Sequence, residues 1–437
     1  KTIFLMIAAL AHVCALAQDL ESIACNPKYT PAATGYPFQQ MTKASYVVPD
    51  NAVIDKLHVI TLPIFDESNS KENAALYRFA NRFHIDTRHD RIEDLVLFSV
   101  DDVYDERILE ESERLLRKGK YLNDADIRPV SICDDRVEIE IITRDVWSFT
   151  PELSYSRNGG ESKYRFGIRE TNLLGQGVEL AVRHKRDLDR DSSEFVYKDE
   201  NIAGTRLKGR VVYSNNDDGS EKQAVLSSPF FSLDARRAWA LAFEEVDRTE
   251  TQYFRGNDVS EVDRSAKDYQ ISYGISKGLS NGVARRWTLG YRFEEEKFSL
   301  SDELPPPVIF PTDKSLSYPF IGFSSIEDKF VTSFNYDDIL RTEDLNLGVD
   351  FQVAIGYAAE AMGSDSERLV VRGRFSDTLF YRANDWLSHQ ASWAGLYNLD
   401  THETEDLELR YMLEFFNKQT KHRSFYASLR GAYTHNL

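Results

Sequence analysis

Histidine and aspartate residues cluster in one short segment, and both side-chain types can bind a metal ion. The segment runs from His84 to Asp90 and reads HIDTRHD. Imidazole nitrogens and carboxylate oxygens are common zinc ligands. The segment lies where a predicted helix gives way to a loop, and spacing alone does not make its ligands converge. We therefore predict a solvated polar segment here and no metal site.

Hydrolytic chemistry would need a serine, a histidine and an acid in one place. His184, His389 and His402 each have a serine or an acidic residue within a few positions, but such pairs are common by chance. One G-x-S-x-G match occurs, GISKG at residues 274–278, but it lies at the end of a predicted β-strand, whereas the nucleophile of that large class of hydrolases sits on a turn from a strand into a helix. The acidic loop at residues 215–219 resembles a calcium loop only loosely, and turn formation explains its composition. The sequence predicts neither an enzyme nor a bound cofactor.

The most regular pattern in the chain is an alternation of apolar and polar residues that begins at Phe149. Leu153 and Tyr155 continue the apolar side, and the pattern resumes at residues 164–169 and 178–183 after turns rich in Gly and Asn. Successive side chains of a β-strand point to opposite faces, so each run predicts a two-faced strand. Such strands are typical of membrane barrels, with lipid on one side and a polar lumen on the other. A soluble antiparallel sheet with one solvated face is the alternative.

Composition limits the classes of function. The chain has 437 residues and a formal net charge of −18, so a basic nucleic-acid-binding surface is not expected. Only residues 1–17 form a long apolar run. This run starts with a basic residue and ends in Ala15-Leu16-Ala17, which is the pattern of a secretory signal peptide and its cleavage site. The chain is therefore predicted to be exported.

Residues 18–52 contain Pro, Gly, Thr and Ala without periodicity, which predicts an extended leader. After removal of the signal peptide, Cys25 and Cys133 would remain. An oxidising compartment permits a disulfide between them. The sequence does not decide whether they pair, because it does not show how close they lie.

Residues 53–146 predict a small α+β domain. Apolar periodicity indicates a strand, two helices and two further strands, at residues 53–65, 73–84, 105–118, 125–130 and 137–142. In this order the two helices are expected to cover one face of a three-stranded sheet.

From residue 147 onward the chain is predicted to be almost entirely β-structure. We count fifteen alternating strands, many with Tyr, Phe or Trp at their ends, as in the aromatic girdles of membrane barrels. Long loops alternate with short turns if residues 318–336 form one strand, which fits outside loops and periplasmic turns. The predicted fold class is mainly β: a transmembrane antiparallel β-barrel over residues 147–437, preceded by the small α+β domain.

The odd strand count carries a further expectation. Single-chain bacterial barrels have even counts, because an open sheet edge cannot be satisfied in lipid. The barrel is therefore predicted to be incomplete, with its last strands missing after Leu437.

Four segments resemble parts of the BamA/TamA-type bacterial surface-antigen family. They are LFSVDDVYDERILEESERLLRKGKYLNDADI at residues 97–127, TRDVWSFTPELSYSRNGG at 143–160, ETNLLGQG at 170–177 and SPFFSLDARRAW at 228–239. The order of signal peptide, small domain and long β-region is also similar. The resemblance implies a POTRA-like domain in the periplasm and a barrel in the outer membrane of a Gram-negative bacterium.

The resemblance also implies how protein clients are received. An unfolded strand would pair with an exposed sheet edge of the POTRA-like domain, where main-chain hydrogen bonds provide affinity with little demand on sequence. The implied pairing residues are Ala125, Asp126, Ile127, Arg128 and Val130.

The first barrel strand is a candidate lateral seam. It contains Phe149, Pro151, Leu153 and Tyr155, and a proline removes one backbone donor. A weakened seam would open sideways to a client strand. The alternative is that Pro151 only begins the strand at the membrane boundary.

The predicted function is the insertion or translocation of unfolded β-barrel or secreted proteins at the outer membrane, in contact with its lipid and without a cofactor. Periplasmic proteins or lipoproteins are further candidate partners, and nucleic acid is not. The alternative is a passive outer-membrane pore or surface antigen without insertase activity.

Overall fold

The computed structural model describes residues 48–187, 190–337, 341–382, 384–420 and 423–436. The predicted signal peptide and most of the predicted leader lie outside these ranges. The chain divides into two compact units, with Trp147 ending the first and Ser148 beginning the second. Cys133 is disulfide-bonded. Both other cysteines, Cys14 and Cys25, lie outside the described residues, so whether Cys133 pairs with Cys25 stays open.

Within the described residues, the first unit combines three strands with three helices. They are β1 (Val53–Leu62), α1 (Ala75–Phe83), α2 (His89–Leu95), α3 (Glu106–Lys118), β2 (Leu122–Cys133) and β3 (Arg136–Asp145). The sheet order is β1–β3–β2, with β1 parallel and β2 antiparallel to β3. The α2 helix was not predicted, because seven residues are too few for an apolar period to be recognised.

The α3 helix begins and ends where its sequence satisfies exposed backbone groups. The Asp105 side chain accepts a hydrogen bond from the backbone N–H of Arg107. At the other end Gly119 follows a last turn that carries Arg117 and Lys118. An acidic N-cap and a basic last turn both match the helix dipole.

The core of the first unit lies between the sheet and the helices α2 and α3, with Ile92 of α2 fully buried in it. It includes the buried side chains Ile54, Leu109, Leu116, Leu122, Ile127, Ile139 and Ile141. In α1 only the small apolar residue Ala80 is buried, whereas Leu76, Phe79 and Phe83 are 72%, 54% and 62% exposed. The prediction that both helices cover the sheet is wrong for these three side chains. Among the helices that the structure describes, none has the length and apolar character needed to cross a membrane.

Across its described residues, the second unit forms one 15-stranded antiparallel sheet and one separate two-stranded hairpin. The strands are β4 (Phe149–Asn158), β5 (Glu161–Glu170), β6 (Val178–Arg186), β7 (Asp191–Ile202), β8 (Leu207–Asn216), β9 (Gly219–Ser228), β10 (Arg237–Phe254), β11 (Asn257–Ser280), β12 (Val283–Leu300), β13 (Lys314–Glu327), β14 (Phe330–Phe334), β15 (Thr342–Asn346), β16 (Asp350–Ala358), β17 (Arg368–Arg382), β18 (Asp385–Asn398), β19 (Thr404–Thr420) and β20 (Arg423–His435). The predicted mainly-β fold and the count of fifteen sheet strands are confirmed.

The predicted single strand over residues 318–336 is wrong. Strand β13 ends at Glu327, and β14 pairs only with β15 among the described strands. Strand β13 pairs directly with β16, with Ile321 opposite Ile355. The hairpin is therefore an insertion between two neighbouring strands, and the strand count of the large sheet is unaffected.

Candidate functional site

One face of the large sheet carries apolar side chains that are exposed. Leu153, Leu289 and Leu429 are 87%, 66% and 68% exposed. Side chains about half exposed extend this face across the sheet: Phe166, Val182, Val211, Leu226, Leu241, Ile271, Ile321, Ile355 and Tyr411. Exposed apolar surfaces of this extent are rare on soluble monomers and mark contact with a membrane or another protein.

The apolar face ends in a row of rings followed by charges. Phe243, Tyr269 and Phe293 lie side by side on β10, β11 and β12, with ring centroids 5.0 and 5.8 Å apart. Two positions further along the same face, Lys267 Nζ lies 3.4 Å from Glu295 Oε1. Aromatic rings beside charged groups are what a membrane–water boundary favours.

The opposite face of the sheet carries ion-paired charges beside a small buried apolar cluster that includes Leu316 and Val370. The Arg292 guanidinium donates to Asp268 Oδ1 at 2.8 Å and lies 2.8 Å from Glu294 Oε1. Arg372 donates to the same Glu294 oxygen at 2.8 Å. These charges satisfy one another on one face, while the other face has the apolar side chains.

An ion pair between distant strands shows that the polar face is concave. Lys314 Nζ on β13 lies 2.6 Å from Asp406 Oδ2 on β19, four strand positions away in the sheet order. On a flat sheet, strands four positions apart would be separated by about 19 Å. Two side chains do not span that distance, so the sheet must curve towards the polar face, as in a barrel wall.

The β14–β15 hairpin packs against this concave face. The Tyr336 ring lies 5.3 Å from the Trp386 ring and 5.0 Å from the Phe416 ring, and both of these rings are buried. Lys418 donates to the Phe334 carbonyl at 2.7 Å. The hairpin thus covers part of the polar face near the ends of β18 and β19. No pattern in the sequence predicts this contact.

A second segment, residues 229–236, covers the same face near β11 and β12. Arg286 lies 4.7 Å above the Phe230 ring and donates to the Ser232 carbonyl at 3.0 Å. Phe230 also packs on Gly274, where an added Cβ would come within 2.8 Å of the ring. This segment belongs to the SPFFSLDARRAW stretch, so the resemblance drew attention to it without indicating its position.

The predicted client-pairing residues lie on an edge of the small sheet. Ala125, Asp126, Ile127, Arg128 and Val130 are all on β2, which pairs only with β3 among the described strands. Ala125 and Ile127 are 2% and 3% exposed. Their role as a pairing edge stays a prediction.

Side chains from α3 bind backbone groups along the outer side of β2. Arg117 Nη1 donates to the Ala125 carbonyl at 2.8 Å, and the Ile127 N–H donates to Glu113 Oε1 at 2.8 Å. Arg117 and Glu113 also form an ion pair, at 3.3 Å. An incoming strand would have to displace these two side chains to use those groups.

The predicted seam residues lie on an edge of the large sheet. Phe149, Pro151, Leu153 and Tyr155 are on β4, which pairs with β5 and with no other described strand. All four residues are exposed. Strand β20, at the other end of the order, likewise pairs with one described neighbour. Opening at β4 stays a prediction.

His184 has the partners of a catalytic triad by residue type but not by geometry. Its Nδ1 lies 2.9 Å from Ser193 Oγ, and its Nε2 lies 3.2 Å from Asp191 Oδ1. In the serine-hydrolase triad the serine contacts Nε2 and the acid contacts Nδ1. His389 contacts only the Tyr411 hydroxyl and neighbouring rings among the described residues. Neither histidine supports a hydrolase.

The His84–Asp90 segment is only partly solvated. The His84 side chain is 3% exposed and bonds Asp145 through Nε2 at 2.9 Å, and Thr87 is buried beside it. The prediction of a solvated segment is wrong for these two residues and correct for Asp86, Arg88 and Asp90, which are exposed. Partial desolvation of the carboxyl group, and then the charge of Asp145, raise the pKa of Asp86.

No protein-family profile matches the sequence, and no curated protein matches it. The chain is similar to the solved structure of BamA from Haemophilus ducreyi lacking POTRA domains 1–3, with a TM-score of 0.35 and 9% identity over 88% of this chain and 72% of that one. For CdiB from Acinetobacter baumannii the TM-score is 0.40, with 11% identity over 99% and 88%. For CdiB from Escherichia coli the TM-score is 0.34, with 9% identity over 88% and 77%. At these values the similarities do not assign the chain to a family.

Proposed function

We propose that this protein is an outer-membrane barrel that inserts or translocates unfolded protein clients. The observation that carries the membrane part of the proposal is the division of the sheet into an exposed apolar face and a concave, ion-paired face. Lipid would cover the first, and water would fill the space beside the second. A soluble sheet of this size would have to bury the apolar face against a second layer.

Two tryptophans provide a matched test of lipid contact. Trp287 is 51% exposed on the apolar face, whereas Trp386 is 5% exposed on the opposite face. The chain has 5 tryptophans. Two full-length variants would be made, one with Trp287 and one with Trp386 as its single tryptophan. Each would be reconstituted in vesicles whose lipid acyl chains carry bromine. We expect quenching of Trp287 fluorescence and little quenching of Trp386. Equal quenching of the two would contradict the proposed orientation of the faces.

The proposal that proteins are the clients rests on the resemblance of four sequence segments and on one structural feature. Strand β4 has an edge without a described partner, and such an edge is a template for pairing with another chain. A client strand would add to this edge, with Phe149 and Tyr155 towards lipid. Clients would first meet the POTRA-like unit in the periplasm, where further proteins or lipoproteins would assist.

A passive pore or surface antigen is the second candidate, and one observation favours it. The groups of β2 that a client would need, at Ala125 and Ile127, already bond Arg117 and Glu113. A unit that does not receive clients would have no reason to keep this edge free.

Depletion of the protein from its host separates the two candidates. For an insertion or translocation barrel, we expect other outer-membrane or secreted proteins to fall in abundance or to remain unfolded in the periplasm. For a passive pore, the levels and folding of every such protein would be unchanged, and only solute permeability would differ.

A further inference from the structure

We propose that His84, Asp86 and Asp145 form a binding site for a divalent transition-metal cation of the Zn²⁺ type. One ligand atom from each residue lies within 4.8 Å of the others. The residues come from different parts of the fold: His84 follows α1, Asp86 lies in the next loop, and Asp145 ends β3. One imidazole and two carboxylates are a donor set that Zn²⁺ accepts, with water completing the coordination.

The second observation is a buried carboxylate oxygen that lacks a partner. Asp145 is 0% exposed. Its Oδ2 is bonded three times, by His84 Nε2 and by the backbone N–H and hydroxyl of Thr87. Its Oδ1 is also buried and has no hydrogen-bond partner. A buried anionic oxygen without a partner is costly, and a cation bound to the same carboxylate would offset that cost.

The surrounding structure holds the ligands in place before a metal arrives. Thr87 fixes the Asp145 carboxylate through two hydrogen bonds. The backbone N–H of His84 caps α1 by donating to the Ala80 carbonyl, which fixes the position of the His84 backbone from which the imidazole extends. Asp86 is exposed, so it offers a path for entry from solvent and a side on which water can bind. Supporting hydrogen bonds of this kind orient ligands in protein metal sites.

A metal would replace the direct contact between His84 Nε2 and Asp145 Oδ2. Nε2 and Oδ2 are 2.9 Å apart, whereas two ligands of a tetrahedral Zn²⁺ lie about 3.4 Å apart, so the two side chains would separate slightly to admit the ion. The competing interpretation is a buried histidine–carboxylate pair that never binds metal. The two differ in whether Asp86 matters, because Asp86 is not needed for the pair.

The test compares two neighbouring aspartates in the full-length protein. Zn²⁺ binding would be measured by calorimetry after treatment with a chelator, for the unchanged chain, Asp86→Asn and Asp90→Asn. Asp90 is exposed and pairs with Arg88 outside the cluster, so it is a matched control. We expect one saturable site that Asp86→Asn weakens by about tenfold or more and that Asp90→Asn leaves unchanged.

Co²⁺ provides a second measurement that does not depend on affinity. Its visible absorption should change when it enters a site with one imidazole ligand, and Asp86→Asn should alter that spectrum. Zn²⁺ binding that is absent from the unchanged chain, or that is equal in Asp86→Asn and Asp90→Asn, would overturn the proposal. Because Asp86 is exposed, loss of folding is not expected to confuse the result.

Discussion

Replacing Ile271 by arginine places a charge in the middle of the apolar face. Ile271 is 56% exposed and lies opposite Leu241 on one neighbouring strand and Tyr291 on the other. The nearest charge along its own side of β11 is Lys267, about 14 Å away along the strand. The new guanidinium would therefore lie deep in lipid. Its side chain could extend towards the membrane–water boundary, which would reduce the free-energy cost of burying the charge only in part.

Arginine at the midplane of a membrane barrel costs about 2–4 kcal/mol. We take about 3 kcal/mol for Ile271→Arg, which corresponds to roughly a hundredfold change in the folding equilibrium. The adjacent Ser272 is the control, because it faces the polar side and lies opposite the small residues Ala240 and Gly290. We expect Ser272→Arg to change stability by no more than about 0.5 kcal/mol.

The assay is urea-dependent folding of the full-length chain in lipid vesicles. Folding would be followed by electrophoretic mobility without heating and by tryptophan fluorescence. A change of less than about 0.5 kcal/mol for Ile271→Arg, as for an exposed position in water, would refute the assignment of this face to lipid. Equal losses for Ile271→Arg and Ser272→Arg would refute it as well.

Three further predictions concern the covered polar face and the β2 edge. Gly274→Ala should displace the Phe230 ring, because the added Cβ would approach that ring to 2.8 Å. Gly431→Ala is the control, because nothing lies within 4 Å of a Cβ added there. We expect faster limited proteolysis at residues 229–236 for Gly274→Ala only. Tyr336→Ala removes two ring contacts of 5.0 and 5.3 Å and should raise ion conductance in planar bilayers, and an unchanged conductance would mean that the hairpin does not restrict the lumen. Arg117→Ala breaks the buried ion pair with Glu113 and should lower the free energy of unfolding of the first unit by about 3 kcal/mol. Amide hydrogen exchange of that unit, measured at increasing urea concentrations, gives this free energy. A loss below about 1 kcal/mol would show that the pair adds little stability.

Alternation with a period of two predicted most of the large sheet. It sets which side chains share a face, and it is local, so Leu407 to Phe415 indicate a strand without knowledge of any partner. In the same way the run from Leu345 to Ala358 predicts one strand, but β15 ends at Asn346 and β16 begins at Asp350. The same locality explains the error at residues 318–336. The apolar–polar pattern continues past Glu327, but whether β14 stays in the sheet depends on contacts of Tyr336 with rings far away in sequence.

The sites depended on contacts that sequence spacing does not contain. Asp145 lies 61 residues from His84, so the segment HIDTRHD gave no sign of its buried ligand. The edge at β2 followed from the resemblance, yet the side chains that occupy it come from α3. Their spacing of four residues predicts an ion pair along a helix, and it does not predict that the pair also binds a neighbouring strand.

The most direct test of the central claim is a cysteine scan along β11, over residues 268–273, in the full-length chain reconstituted in vesicles. Each variant would be treated with a water-soluble thiol reagent and, separately, with a lipid-bound one. We predict alternation: residues 268, 270 and 272 react with the water-soluble reagent, and residues 269, 271 and 273 react with the lipid-bound one. Reaction of all six positions with the water-soluble reagent at similar rates would contradict a membrane-spanning wall.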